Sequence, residues 1–320
     1  MKKAVKIWLI VAASLVVGGS LIFVGVMMAL NWDFLRLSTD KYETNEYIIY
    51  DDFKDISIYT DTADVVFVSS ENGVRKVVCD ENRKQKHTVS VENSILFIGE
   101  SNDKKWYDYI GIVTRAPKVT VYLPAGEYGS LSVSSSTGDL EMPQDFGFES
   151  MDVRKSTGNI TSYASVLGGI KMRTSTGHIT LANLSAGSLE LKGLTGRIEA
   201  SGITCEGNVK IEVDTGKAYL TDVACKNLES EGDTGDLTMK NVIASEKFLI
   251  ERATGDVYFE GCDAAEIFVE TDTGDVKGTL LSPKVFMVRT DTGRIDVPKT
   301  VSGGVCEIET DTGNVKITVN

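Results

Sequence analysis

Proline, histidine and paired cysteine are scarce in this 320-residue sequence, and each shortage excludes a class of protein. Five prolines stand against 30 glycines, and the chain has two histidines, His87 and His178. The five cysteines are odd in number and contain no C-x-x-C pair, so neither a zinc site nor a disulfide framework is expected. No Ser/His/Asp arrangement is evident, and two histidines in dissimilar contexts cannot supply a recurring base. We therefore expect no catalytic residue, no cofactor and no enzymatic activity.

Charge is also missing from one long stretch at the N-terminus. Lys2, Lys3 and Lys6 precede 24 uncharged residues, from Ile7 to Leu30. A helix of that length reaches about 36 Å, against roughly 30 Å of bilayer hydrocarbon. Basic flanks stay in the cytoplasm, so the following domain is expected outside the cell. The alternative is a cleaved signal peptide, but the stretch is longer than the usual apolar region and no Ala-x-Ala-like site follows it.

The rest of the chain is strongly acidic. The formal net charge is −13, and leaving out the three N-terminal lysines makes it −16. Such a surface repels nucleic acid and anionic lipid and favours cations or basic partners.

A Thr-Gly dipeptide recurs at intervals of 19 or 20 residues through the second half of the chain. Apolar residues follow each glycine at the second and usually the fourth position, and a second alternating run precedes each threonine, which is typical of strands with one buried face. Such a period indicates one supersecondary unit stacked on its neighbours. The glycines are Gly138, Gly158, Gly177, Gly196, Gly216, Gly235, Gly255, Gly274, Gly293 and Gly313.

Between the two strands of each repeat lies a lone apolar residue, seven or eight positions after the glycine. We expect it to point inward at a corner of the coil. The residues concerned are Leu184, Ile203, Val223, Cys262, Leu281 and Val301.

The Thr-Gly dipeptides themselves are interpreted as turns. Glycine accepts a positive φ, and the threonine hydroxyl is expected to bond a nearby amide. Asp precedes the threonine at 214, 233, 272, 291 and 311, where an Asx turn is expected. Asp-Thr-Gly also occurs in aspartic proteases, but its placement at the repeat period favours the turn interpretation.

The predicted fold is all-β: a single-stranded parallel β-solenoid, or β-helix, of about ten 19–20-residue coils, preceded by an N-terminal β cap and one transmembrane helix. The cap includes one degenerate coil around Ile56–Phe67, with Ala63 in the place of glycine. The expected segments are a cytoplasmic tip (1–6), an anchor helix (7–30), a juxtamembrane connector (31–46), the cap (47–130) and the solenoid (131–320).

An outward-facing position three before the threonine carries glutamate in four successive coils: Glu212, Glu231, Glu251 and Glu270. Stacked side chains of like charge repel, and a calcium ion or a basic partner would relieve that repulsion. These four residues are the candidate metal ligands, although neither EF-hand spacing nor a nine-residue calcium-binding repeat is present. The alternative is a solvated acidic face damped by neighbouring lysines.

Two residues earlier in the coil, the outward position holds Leu249, Phe268 and Met287. This stripe is a candidate patch for self-association or for a partner, unless a loop covers it. The final coil ends at Asn320 without an evident cap, so we expect it to be an open contact surface.

The cysteines fall at inward or corner positions of the repeat. Cys205 and Cys225 occupy equivalent positions and are expected to be neighbours, either as stacked free thiols or as a disulfide. Cys262 and Cys306 are interpreted as core residues.

Several motifs together resemble the bacterial "putative adhesin" β-strand-repeat family, a domain of unknown function common in Gram-positive bacteria. They are Asp61-Thr62-Ala63-Asp64-Val65, Trp106-Tyr107-Asp108-Tyr109-Ile110-Gly111, Val119-Thr120-Val121-Tyr122-Leu123-Pro124 and the serial Ser/Asp-Thr-Gly repeats, behind a short membrane anchor. The resemblance covers about residues 40 to 320. It implies a surface-exposed β-solenoid with an adhesion or envelope role and carries over no catalytic residue.

The function expected is therefore that of a non-enzymatic envelope module, an adhesin or binding scaffold that meets a surface protein or glycan through its side-chain ladders. The alternative is an envelope-stress sensor or regulator acting through a membrane partner. A polysaccharide-active β-helix enzyme is the third hypothesis, and the near absence of insertions that could build a groove counts against it.

Overall fold

The structure is a computed structural model that describes residues 3–33, 41–102 and 115–320. One helix, α1 (Lys3–Ala29), precedes an all-β body. The strands are β1 (Tyr42–Ile48), β2 (Asp55–Thr60), β3 (Asp64–Ser69), β4 (Lys76–Asn82), β5 (Gln85–Glu92), β6 (Ile95–Asn102), β7 (Lys118–Leu123), β8 (Gly126–Ser135), β9 (Leu140–Met142), β10 (Phe146–Thr157), β11 (Ile160–Ser162), β12 (Ser165–Cys205), β13 (Asn208–Thr234), β14 (Leu237–Thr254), β15 (Val257–Thr273), β16 (Val276–Leu280), β17 (Lys284–Thr292), β18 (Ile295–Asp296), β19 (Gly304–Thr312) and β20 (Val315–Val319).

Helix α1 is apolar on all sides, and its mean hydropathy reaches 2.5 within Val5–Ala29. The helix ends where Asn31 and Trp32 adopt φ values of 52° and 60°, and the Trp32 amide donates to the Met27 carbonyl at 2.8 Å. A left-handed residue after the last turn is a common helix stop. By length and composition, this one helix could cross a membrane.

The strands form a β-solenoid of about ten turns, which confirms the fold expected from the repeat. Neighbouring coils pair in parallel at the repeat spacing, as in Ile160 with Ile179, Leu189 with Val209 and Leu237 with Val257. Equivalent inward residues therefore stack into one continuous core, in which Ile160, Ile179 and Leu237 are fully buried. Most of the positions predicted to be inward from the alternation lie in this core.

The neighbouring coil approaches so closely that the turns require glycine. Gly196, Gly216 and Gly235 have φ values of 143°, 145° and 131°, a region that residues with a Cβ rarely adopt. A Cβ on Gly216 would overlap the carbonyl oxygen of Gly196, and one on Gly235 would overlap that of Gly216. Glycine is thus required by stacking as well as by the turn.

The turn amides are satisfied differently from the expectation. Among the described residues, neither the threonine hydroxyls of the Thr-Gly dipeptides nor the preceding Asp carboxylates accept a hydrogen bond from an amide. Instead, the acceptor is the side chain of the residue after the glycine, and the donor is the equivalent amide of the next coil. The Asn159 amide donates to Asp139 Oδ1 at 2.7 Å, and the Asp275 amide to Asp256 Oδ1 at 2.8 Å. The expected Asx turns and threonine bonds are therefore wrong, because the turn amides are bonded by side chains of the neighbouring coil.

Replacing Gly216 with Ala should lower the free energy of unfolding by about 2 kcal/mol or more, because the new Cβ meets a backbone carbonyl that cannot move alone. Urea denaturation followed by circular dichroism measures the change. Thr215→Ala is the control, because replacing this exposed threonine should change the free energy of unfolding by less than about 0.5 kcal/mol. Equal effects of the two substitutions would contradict the stacking explanation.

The last two coils stack in the reverse of their order in the chain. Strand β15 pairs with β19, placing Ile267 beside Cys306, and β19 then pairs with β17, placing Cys306 beside Phe286. Strands β16, β20 and β18 follow the same order. The final coil therefore lies between two others, and the expectation that it forms an open contact surface is wrong. The open end is the coil of β17 and β18.

This reversal explains two of the inward predictions that fail, and a register shift explains a third. Ile295 is 47% exposed because no coil covers the outermost one. Val301, 96% exposed, lies in the segment that returns the chain from the outer coil to the inner one. Leu281 is exposed because a register shift after Phe259 pairs Cys262 with Leu280, which is buried in its place.

Val315 and Ile295 occupy the same repeat position but should differ in their contribution to stability. Val315→Ala removes fully buried methyl groups and should cost roughly 2 kcal/mol, whereas Ile295→Ala should cost about 1 kcal/mol or less. Thermal or urea unfolding of the two variants measures the difference. If the coils stacked in chain order, the larger cost would fall on Ile295.

The N-terminal end repeats the reversal. Strand β2 lies between β6 and β8, and β3 between β7 and β9, so the coil containing Ala63 is internal. Strands β4 and β5 then pair antiparallel with β7 and β6, and β1 pairs antiparallel with β4. Because β1 begins at Tyr42, the last residues of the expected connector belong to this sheet.

Candidate functional site

The outer face of the strand before each Thr-Gly turn carries two stacked rows of side chains. We call them the inner row, four residues before the glycine, and the outer row, six residues before it. In stacking order the inner row is Arg154, Arg173, Lys192, Glu212, Glu231, Glu251, Glu270, Glu309 and Arg289. The outer row is Asp152, Lys171, Glu190, Lys210, Glu229, Leu249, Phe268, Glu307 and Met287.

In the half of the face that starts at Asp152, opposite charges meet. Arg173 and Lys171 contact Glu190 at 2.5 and 3.3 Å. The hydrogen bond from Arg173 is the main reason that the pKa of Glu190 is lowered. This half is a lattice of ion pairs, with its charges satisfied by one another.

Lysines also partner the first two predicted glutamates. Lys192 contacts Glu212, and Lys210 contacts Glu229 and lies 2.9 Å from Glu231. Hydrogen bonds to Glu229 and Glu231 raise the pKa of Lys210. Glu212 and Glu231 are therefore not free ligands.

The other half of the face has carboxylates without cations. Within the described residues, Glu251, Glu270 and Glu307 have no basic side chain at ion-pair distance, whereas Glu309 lies 3.1 Å from Arg289. Leu249 and Phe268 are half-buried neighbours in the outer row. Together these side chains line an open groove of about 180 Å³, bordered also by Ile250 and Val269.

We call Leu249, Glu251, Phe268, Glu270 and Glu307 the acidic–apolar patch. The predicted glutamate ladder does stack through Glu231, Glu251 and Glu270, and Glu309 extends it. The predicted apolar stripe holds for Leu249 and Phe268, which are adjacent, but its extension to Met287 is wrong, because Glu307 separates Phe268 from Met287. Both differences follow from the reversed order of the last two coils, which sequence spacing could not reveal. Calcium binding by the ladder stays a prediction.

A buried cation lies beside this half of the face. Arg252 is 5% exposed, fills the space over Gly232 and donates to Ser230 Oγ at 2.6 Å. Burial lowers the pKa of this guanidinium to about 10, although neighbouring Glu231 opposes the shift. Arg252 borders a second groove with Asp233 and Asp272. Its positive charge partly offsets the negative charge of the neighbouring patch.

A second cluster is buried at the N-terminal end, and sequence reasoning missed it. Cys79 and Glu81 alternate along β4, and His87 follows on β5, which is linked to β4 by a short turn. The Cys79 Sγ, a Glu81 carboxylate oxygen and a His87 ring nitrogen all lie within 4.8 Å of one another. The available signal was the Cys-x-Glu alternation before a polar hairpin, but this region lacks the repeat that guided the rest.

Hydrogen bonds hold this cluster from several strands. His87 Nδ1 lies 2.7 Å from Glu81 Oε2, and Asn45 Nδ2 donates to Glu81 Oε1 at 2.6 Å. His87 Nε2 lies 3.0 Å from Thr60 Oγ1, which donates to Glu100 Oε2 at 2.8 Å. Burial, aided by repulsion from Glu81 and Asp80, raises the pKa of the Cys79 thiol to about 12.

The other cysteines are free and buried. Cys205 and Cys225 lie at equivalent corner positions as stacked free thiols, so the disulfide alternative is not formed. Burial, with a smaller contribution from Cys205, raises the pKa of Cys225 to about 12. The motif from Trp106 to Gly111 lies outside the described residues.

A family model described as Toastrack DUF4097 matches residues 53–241 and 204–320. A sequence comparison with curated proteins finds no match.

Solved structures from Bacteroides and Parabacteroides species are similar in fold. A "putative adhesin" from Bacteroides fragilis NCTC 9343 is 14% identical, with a TM-score of 0.43, covering 88% of this chain and 99% of that one. A "putative adhesin" from Parabacteroides merdae ATCC 43184 is 11% identical, with a TM-score of 0.47, covering 88% and 98%. A "putative lipid binding protein" from Parabacteroides distasonis ATCC 8503 is 18% identical, with a TM-score of 0.40, covering 75% and 98%.

Proposed function

The chain belongs to the Toastrack DUF4097 family, and from that premise we propose that it is a non-enzymatic envelope scaffold, held at the membrane by α1, that binds a basic protein partner through the acidic–apolar patch. The observation that carries the proposal is the division of one regular strand face into an ion-paired half and a half in which Glu251, Glu270 and Glu307 have no basic partner among the described residues.

The patch has the two features that a basic partner requires. Glu251 and Glu270 are adjacent in the inner row, and Leu249 and Phe268 beside them offer apolar surface. A lysine or arginine side chain can pair its charged end with the carboxylates while its aliphatic stem lies on the apolar residues. Lys247 Nζ already lies 5.9 Å from the Phe268 ring centroid, which shows that a cation can approach this ring.

The rigidity of the scaffold supports binding over catalysis. The patch side chains stand on paired strands whose positions are fixed by the coils on both sides, so little ordering entropy is lost on binding. The patch offers carboxylates but, among the described residues, no histidine, serine or cysteine lines the groove beside them. Its chemistry therefore suits recognition of charge.

Helix α1 supports the attachment to the membrane. It is long enough to span the hydrocarbon layer and carries no acidic residue in its apolar length. In our proposal this helix stays attached as an anchor, the N-terminus is cytoplasmic and the solenoid is outside the cell.

If α1 is an uncleaved anchor, the full chain should remain in the membrane fraction after an alkaline carbonate wash, with its original N-terminus on mass spectrometry. A variant lacking residues 3–29 should appear in the soluble fraction. A shortened mature chain released from the membrane would instead identify α1 as a signal sequence.

The double variant Glu251→Gln/Glu270→Gln should bind a fluorescein-labelled peptide of alternating lysine and leucine about five- to tenfold more weakly than the unmodified chain, because two carboxylates are lost from the patch. Fluorescence anisotropy with the detergent-solubilised full chain measures the affinity, which should also fall as salt rises.

The matched control is Glu212→Gln, a residue of the same row that is paired with Lys192, and it should change the affinity by less than about twofold. Phe268→Ala should weaken binding by removing the apolar contact, without adding a charge that would itself attract the peptide. Equal weakening by the control, or no binding of the peptide at all, would reject the patch as the binding surface.

A further inference from the structure

The buried cluster of Cys79, Glu81 and His87 has the composition of a transition-metal site. It offers one sulfur, one carboxylate oxygen and one imidazole nitrogen within 4.8 Å of each other. Cys79 and Glu81 are fully buried, and His87 is 3% exposed. Thiolate, imidazole and carboxylate are the donors that zinc takes in proteins.

The hydrogen-bond network fixes which histidine nitrogen faces the cluster. The Thr60 hydroxyl has one proton, which goes to Glu100 Oε2, so Thr60 Oγ1 must accept a hydrogen bond from His87 Nε2. Nδ1 is then the nitrogen that points at Glu81 Oε2, 2.7 Å away. Between this nitrogen and this carboxylate there must be a proton, carried by the ring or by the carboxyl, or a cation.

The outer contacts are those expected around a metal-bound histidine. A ligating imidazole almost always donates its other N–H to a hydrogen-bond acceptor, commonly a carboxylate, a carbonyl or water. Here Nε2 donates to Thr60 Oγ1, which in turn donates to Glu100. Asn45 Nδ2 orients Glu81 from the far side, and the Tyr47 hydroxyl donates to the His87 carbonyl at 2.9 Å. The donor side chains are therefore held in place by residues of the neighbouring strands β1, β2 and β6.

Charge gives an independent reason for a cation. Glu81 and Glu100 are two buried carboxylates, and His87 is the one basic side chain among the described residues at ion-pair distance from either. Carboxylates buried with one basic side chain between them form a site that a bound cation stabilises. A divalent ion next to Glu81 places positive charge there.

From these donors, contacts and charges we infer that Cys79 Sγ, a Glu81 oxygen and His87 Nδ1 bind one zinc ion at the N-terminal end of the solenoid. Bonds of about 2.0 to 2.3 Å separate neighbouring donors on a tetrahedral zinc by more than the hydrogen bond that joins Nδ1 to Oε2, so binding moves these two atoms apart by about half an ångström. The fourth position is taken by water or by the second Glu81 oxygen. The metal displaces the thiol and Nδ1 protons to solvent.

Metal content of the purified full chain tests this site. Expressed with zinc and solubilised in detergent, the chain should retain about one zinc per molecule on elemental analysis after dialysis, and chelator treatment under unfolding conditions should remove it. Cys79→Ser and His87→Gln should each retain none. Cys262→Ser, which changes an equally buried cysteine far from the cluster, should retain one zinc.

Cobalt substitution and a milder variant distinguish loss of the metal site from loss of the fold. The unmodified chain refolded with cobalt should show a thiolate-to-cobalt charge-transfer band, which a surface carboxylate site would not give. Thr60→Val leaves the three donors in place, removes the acceptor for Nε2 and the hydroxyl that donates to Glu100, and should weaken zinc binding about tenfold in a chelator competition. Absence of stoichiometric zinc from the unmodified chain, or zinc retained by Cys79→Ser, would overturn the inference.

Discussion

The close approach of successive Thr-Gly turns is the constraint on which the rest of this structure depends. At each turn the carbonyl of one glycine occupies the space where a side chain on the next would be, as between Gly196 and Gly216. Adjacent parallel strands are about 4.8 Å apart, so the turn has room for a hydrogen atom and no more. Once the turns stack in this way, the register of every strand is fixed, and each repeat position becomes a row along the molecule.

Each row stacks the residues from one repeat position. Residues that differ between coils at that position therefore become neighbours in space. Two like unit charges about 5 Å apart repel by less than about 1 kcal/mol in water, and by more where water is partly excluded. In the ion-paired half the outer row avoids this cost by alternating signs, as in Glu190 between Lys171 and Lys210. The acidic–apolar patch retains it, since Glu251 and Glu270 follow one another. Residue changes in single coils can thus place unbalanced charge at one position along the solenoid without altering its backbone.

The repeat made the fold predictable, and its regularity also concealed the order of the coils. Period, strand alternation and the turn glycines follow from local sequence, so the solenoid and core residues such as Ile179 and Leu237 could be expected. The order in which the coils stack could not be expected, because every coil presents the same hydrogen-bonding edge and similar inward residues. The exposed Ile295 and the separation of Phe268 from Met287 both result from that ambiguity. The Cys79–Glu81–His87 cluster was missed for a different reason: its residues come from strands outside the period, and their proximity depends on antiparallel pairing at the end of the solenoid.

Both candidate sites lie where the regular succession of coils is interrupted. In chain order, Arg289 would follow Glu270 in the inner row and could neutralise it. The reversed order places Glu309 there instead and brings Glu307 next to Phe268. The last coil, inserted one place early, thereby leaves Glu270 without Arg289 beside it and adds Glu307 and Glu309 to the acidic groove. At the other end the antiparallel strands bring Glu81 and His87 over Thr60 of the degenerate coil, where a row of identical residues could never assemble three different donors. A repeat can multiply one surface, but a site that needs several kinds of side chain requires the repeat to be broken.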